Sequence, residues 1–297
     1  MTLDQLRLFV AVAERQHLTQ AARALNVAQS AASHAIAALE ARHGTRLFDR
    51  VGRRIVLTEA GRAFLDQARL VLTQADRAER TLNEFGTLAR GTLAVHASQT
   101  IAGSWLPRHL VAFRRVWPGV MVRLSIGNTA QVADAVDSGR ADVGFVEGAV
   151  AAETLERRLV ARDRLVAVVG PEHEWCGRES LDAATLASGA WVLREPGSGT
   201  RAALETALAG LGVPTAQLQV ALELPSNEAV RAAVEAGLGA TALSASVVAP
   251  SLEAGLLQAL PLRLPDRAYH VVLHRHRPPG RAGGALLALM GLDAVSG

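Results

Sequence analysis

The run Leu18-Thr19-Gln20-Ala21-Ala22-Arg23-Ala24-Leu25-Asn26-Val27-Ala28-Gln29-Ser30-Ala31-Ala32-Ser33-His34 places two helical patterns either side of a three-residue turn. Leu18, Ala21, Ala22 and Leu25 fall on one stripe, with Thr19 the expected N-cap. Small alanines on that stripe let another helix cross closely. A further helix is expected from about Gln29 to Arg42, turning Ala32, Ile36 and Leu39 inward, with Gly44 placed to end it. Upstream, Leu3, Leu6, Phe9, Val10 and Ala13 recur at helical spacing and predict a first amphipathic helix.

On the helix from Gln29, the pairs Gln29/Ser33 and Ser30/His34 are each four residues apart, away from the apolar stripe. Short polar side chains at a helix N-terminal end are what a helix-turn-helix presents to base edges in a major groove. Downstream, Leu47-Phe48 and Ile55-Val56-Leu57 read as two short strands around Val51-Gly52-Arg53-Arg54, a wing tipped with arginines that suits a narrow minor groove or phosphates. The charge agrees. Residues 1 to 90 carry 13 Arg against 9 Asp and Glu, net +4, whereas the rest of the chain is net −1. Arg42, Arg46, Arg50, Arg53, Arg54 and Arg62 concentrate that excess, and such a cluster attracts a polyanion by releasing its counterions.

The stretch Leu18 to Leu65, with its Thr-x-Ala-Ala, Gln-Ser-Ala-Ala-Ser, Leu-Glu, Leu-Phe-x-Arg and Leu-Thr-x-Ala-Gly elements, resembles the winged helix-turn-helix of LysR-type transcriptional regulators. The resemblance implies that Gln29, Ser30, Ser33 and His34 face bases and that Arg53 enters the minor groove, with Arg50 and Arg54 beside it. Two departures bear on base preference: the family's frequent proline near Ser30 is absent, and His34 stands where Arg is common.

Thr58 is the expected N-cap of a helix reaching about Leu88, some 45 Å at roughly 1.5 Å per residue. Phe64, Ala68, Val71, Ala75, Ala78, Leu82 and Phe85 alternate by four and three, the spacing of a heptad seam. A partner helix is the simplest cover for that stripe; its own domain is the alternative. In the resembled family this is the linker helix that pairs two subunits, placing two reading heads about one DNA turn, roughly 34 Å, apart.

After Ala89-Arg90-Gly91, a candidate hinge, strands and helices alternate. The strand patterns are Leu93 to Val95, Val120 to Leu124, Ala141 to Val146, Leu165 to Val169 and Trp191 to Leu193; helices are expected over Ile101 to Val116, Thr129 to Ser138, and from Thr200 and Asn227. This order predicts parallel sheets covered by helices. The late strand Tyr269 to Leu273 and last helix from Ala282 to Met290 predict a return to the first sheet. The layout resembles the two-lobed, periplasmic-binding-protein-like α/β effector domain of the same regulators. The expected division is 1–58 for the largely α-helical winged domain, 59–90 for linker helix and hinge, and 91–297 for the effector domain. Lobe I would span about 91–161 and 266–297, and lobe II about 162–265.

Ligands in open α/β sheets bind beyond the carboxyl ends of strands, against helix N-termini. The candidates are Ser98 and Thr100, Asn128, Glu147, the loop Glu195 with Gly197, Ser198, Gly199 and Thr200, and Asn227. Two glycines flanking Ser198 before a helix expose backbone N–H groups and two hydroxyls to a carboxylate or inorganic oxyanion; ordinary turn chemistry is the alternative. The wording Arg194 to Arg201 resembles regulators of carbon fixation and sulfur assimilation more than those of aromatic catabolism.

Other classes are excluded by spacing or composition. Gly237-Leu238-Gly239-Ala240-Thr241-Ala242 follows a helix and leads into a strand, the reverse of a dinucleotide fingerprint. The glycines around Ser198 miss the nucleophile-elbow spacing, and no acid–base constellation points to an enzyme. His270, His274 and His276 could ligate metal, but a solvent-facing strand edge is the expected reading, so no metal or cofactor is expected beyond the effector. The single Cys176, the absence of a signal-like N-terminus and the lack of any window near the roughly 18 apolar residues of a membrane span fit a cytoplasmic, nucleoid-associated protein. Expected partners are double-stranded promoter DNA, a second subunit through the linker helix in a homodimer or homotetramer, and RNA polymerase. The competing class is a non-exported small-molecule-binding protein whose N-terminal region only oligomerises; footprinting on promoter DNA separates the two.

Overall fold

The protein is described by a computed structural model covering residues 1–51, 54–84 and 91–292. In chain order the helices and strands of the first part are α1 Leu3–Arg15, α2 Leu18–Ala24, α3 Gln29–His43, β1 Phe48–Val51, β2 Arg54–Leu57 and α4 Glu59–Glu84. There follow β3 Gly91–Ser98, a π-helical turn Ile101–Trp105, α5 Leu106–Val116, β4 Val120–Gly127, α6 Thr129–Asp137, β5 Val143–Val146, β6 Leu155–Asp163 and β7 Leu165–Val169. The rest are α7 Ala183–Ser188, β8 Ala190–Arg194, α8 Gly199–Gly210, β9 Gln219–Leu224, α9 Asn227–Glu235, β10 Ala240–Ser244, α10 Ala245–Glu253, β11 Gln258–Ala259, β12 Arg267–His274 and α11 Gly280–Leu289. The chain forms two compact units, Met1–Leu82 and Asn83–Gly297.

In the first unit Leu6, Phe9 and Val12 of α1, Ala21 and Ala22 of α2, and Ala32, Ile36 and Leu39 of α3 share one core. Phe9 is its hub, with ring centroids 5.3 Å from Phe48 and 4.8 Å from Phe64. Thr2 and Gln5 cap α1 reciprocally. The cap of α2 is His17, whose Nδ1 accepts from the Gln20 amide at 3.4 Å, and not the expected Thr19, which lies one residue inside the helix. Asn26 turns the chain at φ 55, and Gly44 ends α3 in the left-handed region. Glu40 of α3 accepts from the amides of Leu47 and Phe48 at 2.7 and 3.1 Å, docking the antiparallel pair β1–β2. Thr58 caps α4 as expected, accepting from the Gly61 amide at 2.9 Å.

The apolar stripe of α4 divides between two uses. Phe64 and Ala68, assigned to the seam, pack into their own domain together with Leu65 and Leu72, and Glu14–Arg69 at 2.9 Å ties α4 to α1. The first turns of α4 cover α1, and exposed apolar positions on α4 appear only later, at Leu70, Val71 and Ala78. The side chain of Leu82, and Phe85 altogether, lie outside the described residues, as do Ala89 and Arg90 of the candidate hinge.

The second unit has two lobes, each built on a five-stranded sheet, ordered β4-β3-β5-β12-β6 and β11-β7-β10-β8-β9. The expected return of the late strand holds: β12 enters the first sheet between β5 and β6. The expected parallel sheets are in fact mixed. β3 runs parallel to β4 and β5, and β8 parallel to β9 and β10, but β12 opposes β5 and β6, and β7 opposes β10 and β11. The chain crosses between lobes twice, and each crossing brings in a strand from the opposite direction. Placing β12 inside the sheet also corrects the reading of its histidines as a solvent-facing edge: His270 and His274 are half-buried, and the edge is β6. In lobe I, α5 and α11 cover one sheet face around Phe113, Phe145 and Leu286, and α6 covers the other around Val132, Val136 and Val272. Lobe II repeats the plan, with Trp191, Leu204 and Leu208 on one side and Val230, Val234 and Val248 on the other.

Gly61 sits where α4 meets the residue before the wing: a Cβ there would lie 2.1 Å from the Leu47 carbonyl oxygen. Gly61→Ala is expected to destabilise the first unit by about 1–3 kcal/mol through overpacking, read as an earlier urea transition; an unchanged transition would refute that contact.

Candidate functional site

The first candidate site is the outer face of α3. Gln29, Ser30 and His34 are exposed and Ser33 is half-buried, while Ala32, Ile36 and Leu39 on the opposite face are buried. The N-cap residue is Ala28, which makes no side-chain capping bond, so the first-turn N–H groups are uncapped and no acidic residue opposes them. Of the wing arginines, Arg53 and the side chains of Arg50 and Arg54 lie outside the described residues; β1 and β2 carry the backbones of Arg50 and Arg54.

The second is built where strand ends of the two lobes meet. Ser98 ends β3, Glu147 follows β5, and Arg194 ends β8; all three are buried. Thr100, Thr200 and Asn227 are buried beside them, and Asn128 and Glu195 are half-buried. Two arginines organise these groups. Arg194 grips Glu195 through two bonds, Nε to Oε2 at 2.8 Å and Nη2 to Oε1 at 3.0 Å, and donates to Asn227 Oδ1 at 2.5 Å. Asn227 in turn donates from Nδ2 to Thr100 Oγ1 at 3.0 Å, and its amide donates to Gln99 Oε1 at 2.7 Å. Asn128 reaches Glu195 Oε1 from the other lobe at 3.3 Å. Arg267, at the start of β12, bonds Asp163 Oδ2 at 2.7 Å, Thr200 Oγ1 at 2.8 Å, Thr100 Oγ1 at 3.4 Å and Glu147 Oε1 at 3.5 Å. Burial and the Asp163 carboxylate push the nearby Tyr269 phenol well up from its ordinary value.

The glycine loop does two jobs at once. Ser198 Oγ accepts from the Arg201 amide at 3.4 Å, a structural N-cap for α8, and Thr200 Oγ1 accepts from Arg267. Each hydroxyl keeps its own hydrogen to donate. Gly197 stands at φ +87, and a Cβ on Gly199 would lie 2.7 Å from Thr129 Oγ1 and 3.0 Å from the Gly148 nitrogen, so the lobes touch there. Beside that contact lies a groove of about 500 Å³ lined by Thr129, Gly148, Ser198, Gly199, Arg201 and Glu205, among others.

All ten effector candidates from the sequence therefore converge on one region. Arg267 and Asp163 were not legible: each stands at a lobe crossing, far from any glycine or motif, and they are 104 residues apart. Among the described residues no three metal-ligating side chains cluster, and His274 instead lies 3.8 Å from Asp137. No helix of the described residues is long and apolar enough to cross a membrane.

A helix-turn-helix with an open polar face and a separate two-lobed α/β unit closed over a polar cleft define a ligand-responsive regulator. The family comparisons agree over nearly the whole chain: the bacterial regulatory helix-turn-helix model of the lysR family matches residues 3–62, and the LysR substrate binding domain matches residues 86–291. The chain belongs to the LysR family of transcriptional regulators. It is 36% identical over 265 residues to the uncharacterized HTH-type transcriptional regulator YeiE of Escherichia coli K12, covering 89% of this chain and 88% of YeiE. The RuBisCO operon transcriptional regulator of Allochromatium vinosum is 31% identical over 287 residues, 96% and 94% of the two chains, in keeping with the carbon-fixation branch. The crystal structure of CbnR, a LysR family transcriptional regulator, superposes with a TM-score of 0.74 at 22% identity over 98% of each chain. The Synechocystis CcmR regulatory domain in complex with 2-PG matches 68% of this chain and 97% of its own, with 25% identity and a TM-score of 0.61.

Removing the Arg267 side chain leaves buried Glu147 and largely buried Asp163 without their cation. Arg267→Ala is expected to cost the second unit about 3–5 kcal/mol, measured by denaturant unfolding; a loss below about 1 kcal/mol would mean that the network contributes like a surface pair.

Proposed function

We propose that this regulator reads promoter DNA with Gln29, Ser30, Ser33 and His34 in the major groove, positioned by Arg50, Arg53 and Arg54 of the wing. The observation that carries this reading is the polar outer face of α3, held rigid by a buried alanine and leucine underside and ending in uncapped amides that suit a phosphate. It acts as a homodimer through the later turns of α4, and as a homotetramer through further surfaces. Exposed Met121, Leu124 and Ile126 on edge strand β4, and Val220 and Leu222 on edge strand β9, favour such self-association. A small anion binds between the lobes at Thr100, Asn128, Ser198, Gly199, Thr200 and Asn227; the similar CcmR regulatory domain, solved in complex with 2-PG, supports that ligand class. Occupancy changes lobe closure, re-angles the linker helices and alters how the assembly bends DNA for RNA polymerase. The protein works on the nucleoid in the cytoplasm and turns over none of its ligands.

On the intergenic DNA upstream of its own gene, a footprint with dyad symmetry is expected, weakening steeply with salt. Gln29→Ala and Ser33→Ala should each weaken specific binding by roughly 10- to 100-fold. Arg53→Ala should weaken all sequences together and flatten the salt slope. Equal affinity for this DNA and a random duplex at low salt would end the assignment of these residues, and a footprint and bend indifferent to saturating ligand would end the proposed coupling.

A further inference from the structure

Three polar atoms of the interlobe region are buried without a hydrogen-bond partner: Ser98 Oγ, Thr129 Oγ1 and Glu147 Oε2. Two are hydroxyls, able to donate or accept. The third is a carboxylate oxygen, able only to accept. Glu147 is 8% exposed, and its other oxygen has one distant contact, Arg267 Nη1 at 3.5 Å. Arg267 is already committed to Asp163 at 2.7 Å and Thr200 at 2.8 Å.

The surrounding charges leave Glu147 only a share of Arg267, which reaches one of its oxygens at 3.5 Å. Arg194 is matched by Glu195 in a two-bond grip, Arg267 by Asp163, and Arg201 by Glu205 and Glu223. The same locus nonetheless favours negative charge, because the N-terminus of the 12-residue α8 packs against it: a Cβ on Gly199 would lie 3.0 Å from Glu147 Cγ. A fully ionised oxyanion placed there would set acceptor against acceptor at Glu147, with no hydrogen between them. A neutral ligand would forgo the helix terminus. One kind of molecule meets both demands.

We infer that Glu147 selects an acid that still carries a hydrogen-bond donor, either a protonated oxyanion or a hydroxy acid, and rejects fully ionised oxyanions that can only accept. The inference rests on the proposed anion site between the lobes and adds its specificity. The donor satisfies Oε2, the anionic end lies against the first amides of α8, and Ser98 and Thr129 donate to its remaining oxygens. Asp163 is paired with Arg267, and the Tyr269 phenol, kept protonated by burial, is hydrogen-bonded to Asp163, so neither adds a donor for Oε2.

Isothermal titration of the full chain with two matched pairs tests this: inorganic phosphate, which keeps a proton at pH 7, against sulfate, which keeps none; and glycolate against acetate. A site built around a donor rejects an analogue lacking it strongly, so the wild type should prefer phosphate or glycolate over its partner by about 100-fold. A preference only for phosphate identifies the protonated oxyanion, and one only for glycolate the hydroxy acid. Glu147→Gln places an amide donor there and should bring sulfate to within a few-fold of phosphate. Equal binding within both pairs by the wild type, or an unchanged ratio in the variant, overturns the inference while leaving the anion site standing. Failure of all four to bind the wild type overturns the anion site itself, and this inference with it.

Discussion

A buried guanidinium holds the effector unit together. Arg267 is 4% exposed and lies just after the second lobe crossing, while its carboxylate partner Asp163 closes the strand before the first. Both crossings are thus pinned by one ion pair, and Ser244 of lobe II fixes the second carboxylate oxygen at 2.8 Å. Desolvating such charges is costly, and only complete hydrogen bonding offsets it. The arginine's remaining N–H groups reach Thr100 in lobe I and Thr200 in lobe II, so its satisfaction depends on how the two lobes meet. The way the two lobes meet is tied to the satisfaction of a buried charge.

The DNA-reading unit is organised by the opposite device, an interior with almost no polarity. Ala21, Ala22 and Ala32 are nearly fully buried, and their small side chains bring α1, α2 and α3 close around Phe9. Half-buried Glu40 of α3 fixes the wing's first strand to the same helix that carries the polar outer face. Helix and wing therefore keep a fixed mutual geometry before any DNA arrives, which lowers the ordering entropy of binding. The same packing takes Phe64 and Ala68 of α4 into this core.

What the sequence disclosed follows the range of the interactions. Helical periodicity placed α1, α3 and α4, and the capping chemistry of Thr58 and Gly44 placed their ends, because all of it acts within a few residues. The cap of α2 went to His17 since an imidazole nitrogen can accept where a hydroxyl was expected. Strand β6 escaped notice: Glu156, Arg157, Arg158 and Arg162 interrupt its apolar alternation, as suits a strand at a sheet edge. The mixed strand directions were hidden for a different reason, since they follow from where the chain crosses between lobes. Likewise the loop carrying Ser198 has a local signature, two glycines before a helix, whereas the Arg267–Asp163 pair beside it spans 104 residues and has none.

Arginine supplies every permanently cationic side chain of this protein: the Lys and Arg total of 31 contains no lysine. The choice has consequences at both sites. At the cleft, a fork can grip Glu195 with two parallel bonds and still reach Asn227, a geometry that an ammonium cannot reproduce. A fork so committed has little capacity left for a further acid. Glu147 therefore keeps an unmatched oxygen even with two arginines within the same network. The missing hydrogen has to come from the molecule that enters, which turns a fixed charge arrangement into a criterion for recognising the effector.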